Sequence, residues 1–176
     1  MIQIDGNHLT LKELSQIAYH HEIVTIDSQA LLAVEKAEAF VETIVKGTEA
    51  VYGVNTGFGK LSDVRINKCD LETLQKNLLM SHACAVGDVL PIPTVRAMMA
   101  LRLNALIKGH SGVRKVTVLK LLEYLNANLI PVVFEKGSLG ASGDLAPLAH
   151  MSLPLIGLGE LYYQGERMPA MDALNK

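Results

Sequence analysis

Ala141-Ser142-Gly143 sets three small residues among further glycines, Gly137 and Gly140, and this combination permits a backbone condensation that most sequences sterically forbid. Gly143, lacking a β-carbon, can bring its amide nitrogen onto the carbonyl carbon of Ala141. The addition closes a ring and releases one water; the Ser142 hydroxyl can then leave as a second, giving a methylene conjugated with the ring. Such a group is an electrophile made from main chain. From Asp144 onward, Asp-Leu-Ala-Pro-Leu-Ala-His reads as the start of a helix, whose positive end stabilises negative charge developing on the ring. Taken alone, the triplet is common, and a glycine-rich segment between helices is ordinarily a connection.

A second glycine-dense loop, Tyr52-Gly53-Val54-Asn55-Thr56-Gly57-Phe58-Gly59, excludes a stable helix and allows positive φ. Neither loop fits the better-known glycine motifs. Between Gly53 and Gly59-Lys60 lie five residues where a phosphate-binding loop has four, and Leu61 follows in place of Ser or Thr. Ser62 stands where the dinucleotide fingerprint needs its last glycine. Gly140-Ala141-Ser142-Gly143-Asp144 departs from Gly-x-Ser-x-Gly at its final position, so a hydrolase serine is not expected.

The elements that must position these loops are mostly helical. Met1–Ile4 and Ile23–Ile26 read as short strands. Thr10 with Glu13 forms a capping box opening a helix to about His20. Asp27 or Ser28 caps a longer helix with the stripe Leu31, Val34, Ala37, Val41 and Ile44, closed at Gly47. Further helices are expected from Asp70 to about Ala83, from Thr94 to Lys108, and from Val113 to Asn126 with Ser111 as cap. Leu129–Phe134 is a short β-like run, and Tyr162–Lys176 shows no apolar periodicity and no closing element. No repeat, low-complexity tract or linker divides the chain.

The 176 residues suffice for one domain of ~150 residues or slightly more, with 49% apolar and 19% charged residues, so the chain is not disordered. With 16 basic and 18 acidic residues, the net charge of −2 offers no footprint for nucleic acid or an anionic membrane. Nothing at the N-terminus reads as a secretory signal, and no stretch reaches the ~20 apolar residues that span a bilayer. Cys69 and Cys84 are too few for a disulfide framework and are expected as buried thiols in a reducing cytoplasm. Met98-Met99 reads as core filling, and His8, His20, His21, His110 and His150 as solvated or capping residues, with no metal-ligand spacing among them.

Gly137 to His150, Gly-Ser-Leu-Gly-Ala-Ser-Gly-Asp-Leu-Ala-Pro-Leu-Ala-His, is similar to the signature of the aromatic amino acid ammonia-lyases, and residues 52–59 resemble that family's other hallmark. The resemblance covers essentially the whole chain. It implies a mainly α architecture: the N-terminal helical part of an ammonia-lyase-like fold with a few short strands and two glycine-rich active-site loops. Residues up to about 110 would form an N-terminal domain, and about 111–176 the start of a central helical domain. It further implies that Ala141, Ser142 and Gly143 become a 4-methylidene-imidazol-5-one, that Asp144 assists the cyclisation, and that Tyr52 removes a β-proton from the substrate. A tyrosine titrates near ~10, so a tyrosine base needs nearby positive charge or hydrogen-bond donors.

Within the family, a residue pair after the Tyr52 loop follows substrate choice, and here it is Ser81-His82, which implies L-histidine. A neutral imidazole at His82 can exchange a hydrogen bond with another imidazole, whereas a phenyl ring leaves it unpaired at ~1–3 kcal/mol. One departure is Ala85, where the family usually has glycine before Val-Gly. Family members are longer, and the resemblance places an asparagine, a second tyrosine, an arginine and a glutamate of the pocket beyond this sequence, in a homotetramer with composite sites. An inactive fragment is therefore expected when the chain stands alone. Two alternatives stay open: a non-catalytic helical assembly domain with an unprocessed triad, and an aminomutase using the same electrophile.

Overall fold

Thr10 and Glu13 set the first helix as their types demand. In a computed structural model describing residues 1–138 and 145–176, the Thr10 hydroxyl accepts from the Glu13 N–H at 3.2 Å and the Glu13 carboxylate accepts from the Thr10 N–H at 2.9 Å. They open α1 (Leu11–His20), which ends on His21 in the left-handed region at φ 55°. On either side, β1 (Ile2–Ile4) and β2 (Val24–Ile26) pair in parallel. Asp27 accepts from the Gln29 and Ala30 amides and opens α2 (Ser28–Lys46).

After the 51–66 loop comes α3 (Lys68–His82), then a strand without a periodic signal, β3 (Val86–Val89), then α4 (Ile92–Leu106). Helix α5 (Lys115–Asn126) starts two residues later than expected, and Ser111 is not its cap. Its cap comes from another helix instead: Glu38 of α2 accepts the Lys115 N–H at 2.9 Å, and Glu35 pairs with the Lys115 ammonium. Next are β4 (Ile130–Pro131) and β5 (Phe134–Lys136), the latter antiparallel to β3. Helix α6 (Leu145–Ser152) follows the six residues outside the description.

The tail does have closing elements. β6 (Glu160–Tyr163) and β7 (Glu166–Pro169) form a hairpin through Gln164-Gly165, both at positive φ, as a two-residue turn requires. β6 also pairs with β4, and α7 (Ala170–Leu174) packs Ala170 and Ala173 on Leu161. Strands of four residues are too short to announce themselves by periodicity.

The core gathers around α4, whose Val95, Met99, Ala100 and Leu103 are buried with Ile17 of α1 and Val118, Leu121 and Leu125 of α5. Met98 packs partly buried on the same core, as expected of the pair. Cys69 and Cys84 are both exposed, against the expectation of buried thiols. Cys69 lies near the start of α3, whose stripe Leu71, Leu74, Leu78 and Leu79 is only half-buried, and Cys84 lies past its end. Among the described residues, no helix is long and apolar enough to cross a membrane.

Arg96, on α4, is 1% exposed. It donates to the Ile17 carbonyl at 3.0 Å, the Leu125 carbonyl at 3.1 Å and the Asn128 side-chain oxygen at 2.8 Å. Burial pushes its pKa down from the usual arginine value, and the negative ends of α1 and α5 offset the cost of the buried charge. Arg96→Met takes this donor from the Ile17 and Leu125 carbonyls and the Asn128 oxygen, so urea unfolding of the chain should show a loss of ~1–3 kcal/mol. A loss below ~1 kcal/mol would contradict this role.

Candidate active site

Tyr52 sits in a loop whose shape is set by Asn55, a residue for which the sequence offered no role. Asn55 is buried; its side-chain oxygen accepts the Val51 N–H at 2.7 Å, its amide donates to the Glu49 carbonyl at 2.9 Å, and its own carbonyl accepts from Ile66 at 2.8 Å. Thr56 bridges to Arg65, and Gly57 donates to the Val64 carbonyl. A β-carbon on Gly57 would lie 2.6 Å from the Leu61 Cβ, so only glycine closes this turn. An asparagine between turn glycines is the one sequence signal that points to this role.

The Tyr52 ring meets the Phe58 edge at 5.9 Å and 70° and is 64% exposed; among the described residues no hydrogen bond reaches its hydroxyl. The loop thus presents the phenol outward on a braced backbone.

His82 closes α3. Its Nδ1 lies 2.8 Å from the Leu78 carbonyl oxygen and 3.1 Å from the Ser81 hydroxyl, which itself donates to Leu78 at 2.9 Å. A carbonyl only accepts, so Nδ1 carries a proton, and in the neutral ring Nε2 is left as an acceptor. Ser81 and His82 therefore act together: two side chains satisfy one helix-end carbonyl and fix the ring tautomer.

Beyond His82 the chain is tied to α6. The Cys84 N–H donates to the His82 carbonyl at 2.9 Å, and the Ala85 N–H donates to Nε2 of His150 at 3.1 Å. His150 is thus partly buried and bonded, not solvated or capping, and its ring meets the Phe134 ring edgewise at 5.3 Å. A lone histidine in an apolar helix was the available signal. The structure brings the His82 segment to the helix that follows the triad, while Tyr52 contacts its own loop. Ala141, Ser142, Gly143 and Asp144 lie outside the described residues.

Burial holds the His150 pKa below its ordinary value. The folded chain then binds fewer protons at this ring than the unfolded chain, so its contribution is complete above about pH 6.5 and declines as pH falls through the depressed pKa. His8, whose bond to Asp5 raises its pKa, has the opposite sign. Comparing urea stability with His150→Gln between pH 7.5 and 5 isolates His150. Wild type should lose more than the variant over that range, and parallel curves would contradict the assignment.

The sequence from residue 9 to 176 matches the family model described as aromatic amino acid lyase. The chain is 53% identical over 176 residues to a histidine ammonia-lyase of Geobacillus thermodenitrificans, covering all of this chain and 35% of that protein. Among solved structures, histidine ammonia-lyase from Trypanosoma cruzi superposes with a TM-score of 0.89 at 37% identity, covering 99% of this chain and 33% of that one. An ergothioneine-degrading ergothionase from Treponema denticola superposes with a TM-score of 0.94 at 30% identity, with 99% and 35% coverage. The chain thus spans about a third of the length of the relatives it matches. With its helical architecture and both glycine-rich hallmarks, it belongs to the aromatic amino acid lyase family.

Proposed function

We propose that this chain is the part of a histidine ammonia-lyase that carries the electrophile-forming triad, the tyrosine base and the residue that recognises the substrate ring. The reaction is elimination of ammonia from L-histidine: the Cα–N and one Cβ–H bond break, a C=C bond forms, and urocanate results. The observation that carries the reading is the Ser81-His82 pair, whose hydrogen bonds leave Nε2 as an acceptor. An acceptor there pairs with an imidazole N–H and has nothing to offer a phenyl ring.

The triad has the chemistry a methylidene-imidazolone needs: a carbonyl on Ala141, a leaving hydroxyl on Ser142 and an unhindered amide on Gly143. That group, once formed, supplies the electrophilic methylene that makes the amine depart. Asp144 helps the ring close. Tyr52, as phenolate, takes the β-proton onto its oxygen and becomes the phenol, from a loop that Asn55 keeps from collapsing. His82 orients the imidazole so that the β-carbon faces that oxygen.

The chain covers 35% of the Geobacillus thermodenitrificans relative's length, and on this reading the partners for the substrate's carboxylate and amine, and the exclusion of water, come from the remainder. The chain alone therefore gives no turnover, and the complete protein works as a cytoplasmic homotetramer. Mixing the chain with a second chain of the missing length and following urocanate absorbance tests the reading. His82→Leu should then raise KM for histidine about 5- to 150-fold, the equivalent of one lost hydrogen bond of ~1–3 kcal/mol. An unchanged KM sinks the recognition role, and β-histidine in place of urocanate makes the protein an aminomutase.

A further inference from the structure

Both flanks of the triad segment converge on one residue, Ala85, three positions after His82. Upstream, β5 pairs antiparallel with β3, Val86 opposite Lys136 and Val89 opposite Phe134. The backbone of Gly137 then passes so close that a β-carbon on it would lie 2.6 Å from the Ala85 Cα; its φ of 150° also disfavours a side chain. Downstream, His150 on α6 accepts the Ala85 N–H at 3.1 Å. Ala85 itself is 8% exposed, and among the described residues its amide is held by that ring nitrogen.

The ring has support of its own. Accepting at Nε2 requires the neutral tautomer protonated at Nδ1. The Phe134 edge meets the imidazole at 5.3 Å and 73°, and the Arg167 guanidinium, paired with Glu160 in the β6–β7 hairpin, lies 5.7 Å from the Phe134 ring. The hairpin, β5, α6 and the end of α3 are thereby connected through side chains centred on His150.

We propose that His150 is a positioning residue: by accepting the Ala85 amide it fixes His82 relative to the helix that follows Ala141-Ser142-Gly143, and so sets the substrate ring against the electrophile. The proposal rests on the lyase reading for its purpose but not for its geometry. An error of ~1 Å between two such groups is enough to cost ~100-fold in rate.

The test has one arm that needs no activity. In the ¹⁵N-labelled chain, the Ala85 amide should show a nitrogen–nitrogen coupling across the hydrogen bond to Nε2 of His150. His150→Leu should abolish it and displace the His82 ring resonances, whereas His150→Gln, which keeps an acceptor at similar reach, should return those resonances towards their wild-type positions. In the complemented enzyme, His150→Leu should lower kcat/KM for histidine at least ~10-fold and His150→Gln should recover most of it. Absence of the coupling, or a His150→Leu variant that loses thermal stability while His82 resonances and kcat/KM stay put, overturns the proposal. A wild-type chain with the coupling but no histidine turnover on complementation overturns the lyase reading and leaves His150 a structural clamp.

Discussion

Ser142→Ala should leave the complemented protein without measurable urocanate formation, a loss of ~10³-fold or more, the scale on which removing a covalently reacting group is felt. The reason lies in atoms, not packing. A methyl group cannot depart as water, so the ring cannot acquire its exocyclic methylene even when the Gly143 amide closes on Ala141. Ser152→Ala is the control, because Ser152 lies on α6 and spends its hydroxyl on the Leu148 carbonyl at 2.7 Å. It should keep near-wild-type turnover. If both variants keep turnover, the triad is not the source of the electrophile; if both lose it, the segment is merely intolerant of substitution.

Tyr52→Phe should lower kcat by ~10²–10⁴, the usual worth of a placed proton acceptor, with KM for histidine changed little. The fold gives no reason for collateral damage. The phenol hydroxyl has no hydrogen bond among the described residues, and the ring keeps its edge contact with Phe58. Circular dichroism and urea midpoint should therefore match wild type. A kcat within a few-fold of wild type would place the base elsewhere.

What could be read from the chain beforehand follows how local each cause is. The Thr10-Glu13 box, the Asp27 cap and the apolar stripe of α2 act within a few residues of themselves, and all appear where expected. α3 and α4 each begin two residues earlier than their periodicity predicts, since Lys68 and Ile92 precede the first stripe residue. Tertiary causes were not legible. The α5 cap is supplied by Glu38, 77 positions away in sequence, where the local pattern points to Ser111. β3 pairs with β5 across 45 or more residues, and nothing in Val-Gly-Asp-Val signals a partner.

The site divides in the same way. Tyr52, Ser81-His82 and the triad stand out through the resemblance to the ammonia-lyase motifs, not by type and spacing alone. The residues that hold them in place do not. Asn55 acts through backbone groups that any sequence has, and His150 looks like an isolated polar residue until the Ala85 amide is seen pointing at it. The exposed Cys69 and Cys84 show the limit of composition arguments: free cysteine is most often buried, but α3 buries only one flank here.

The most direct measurement is the mass of the tryptic peptide Gly137–Arg167, which contains the whole triad, taken from protein that converts histidine. Conversion of Ala141-Ser142-Gly143 into the ring makes that peptide lighter by two waters, and Ser142→Ala keeps it from losing the second. A peptide of unmodified mass in turning-over protein would contradict the account.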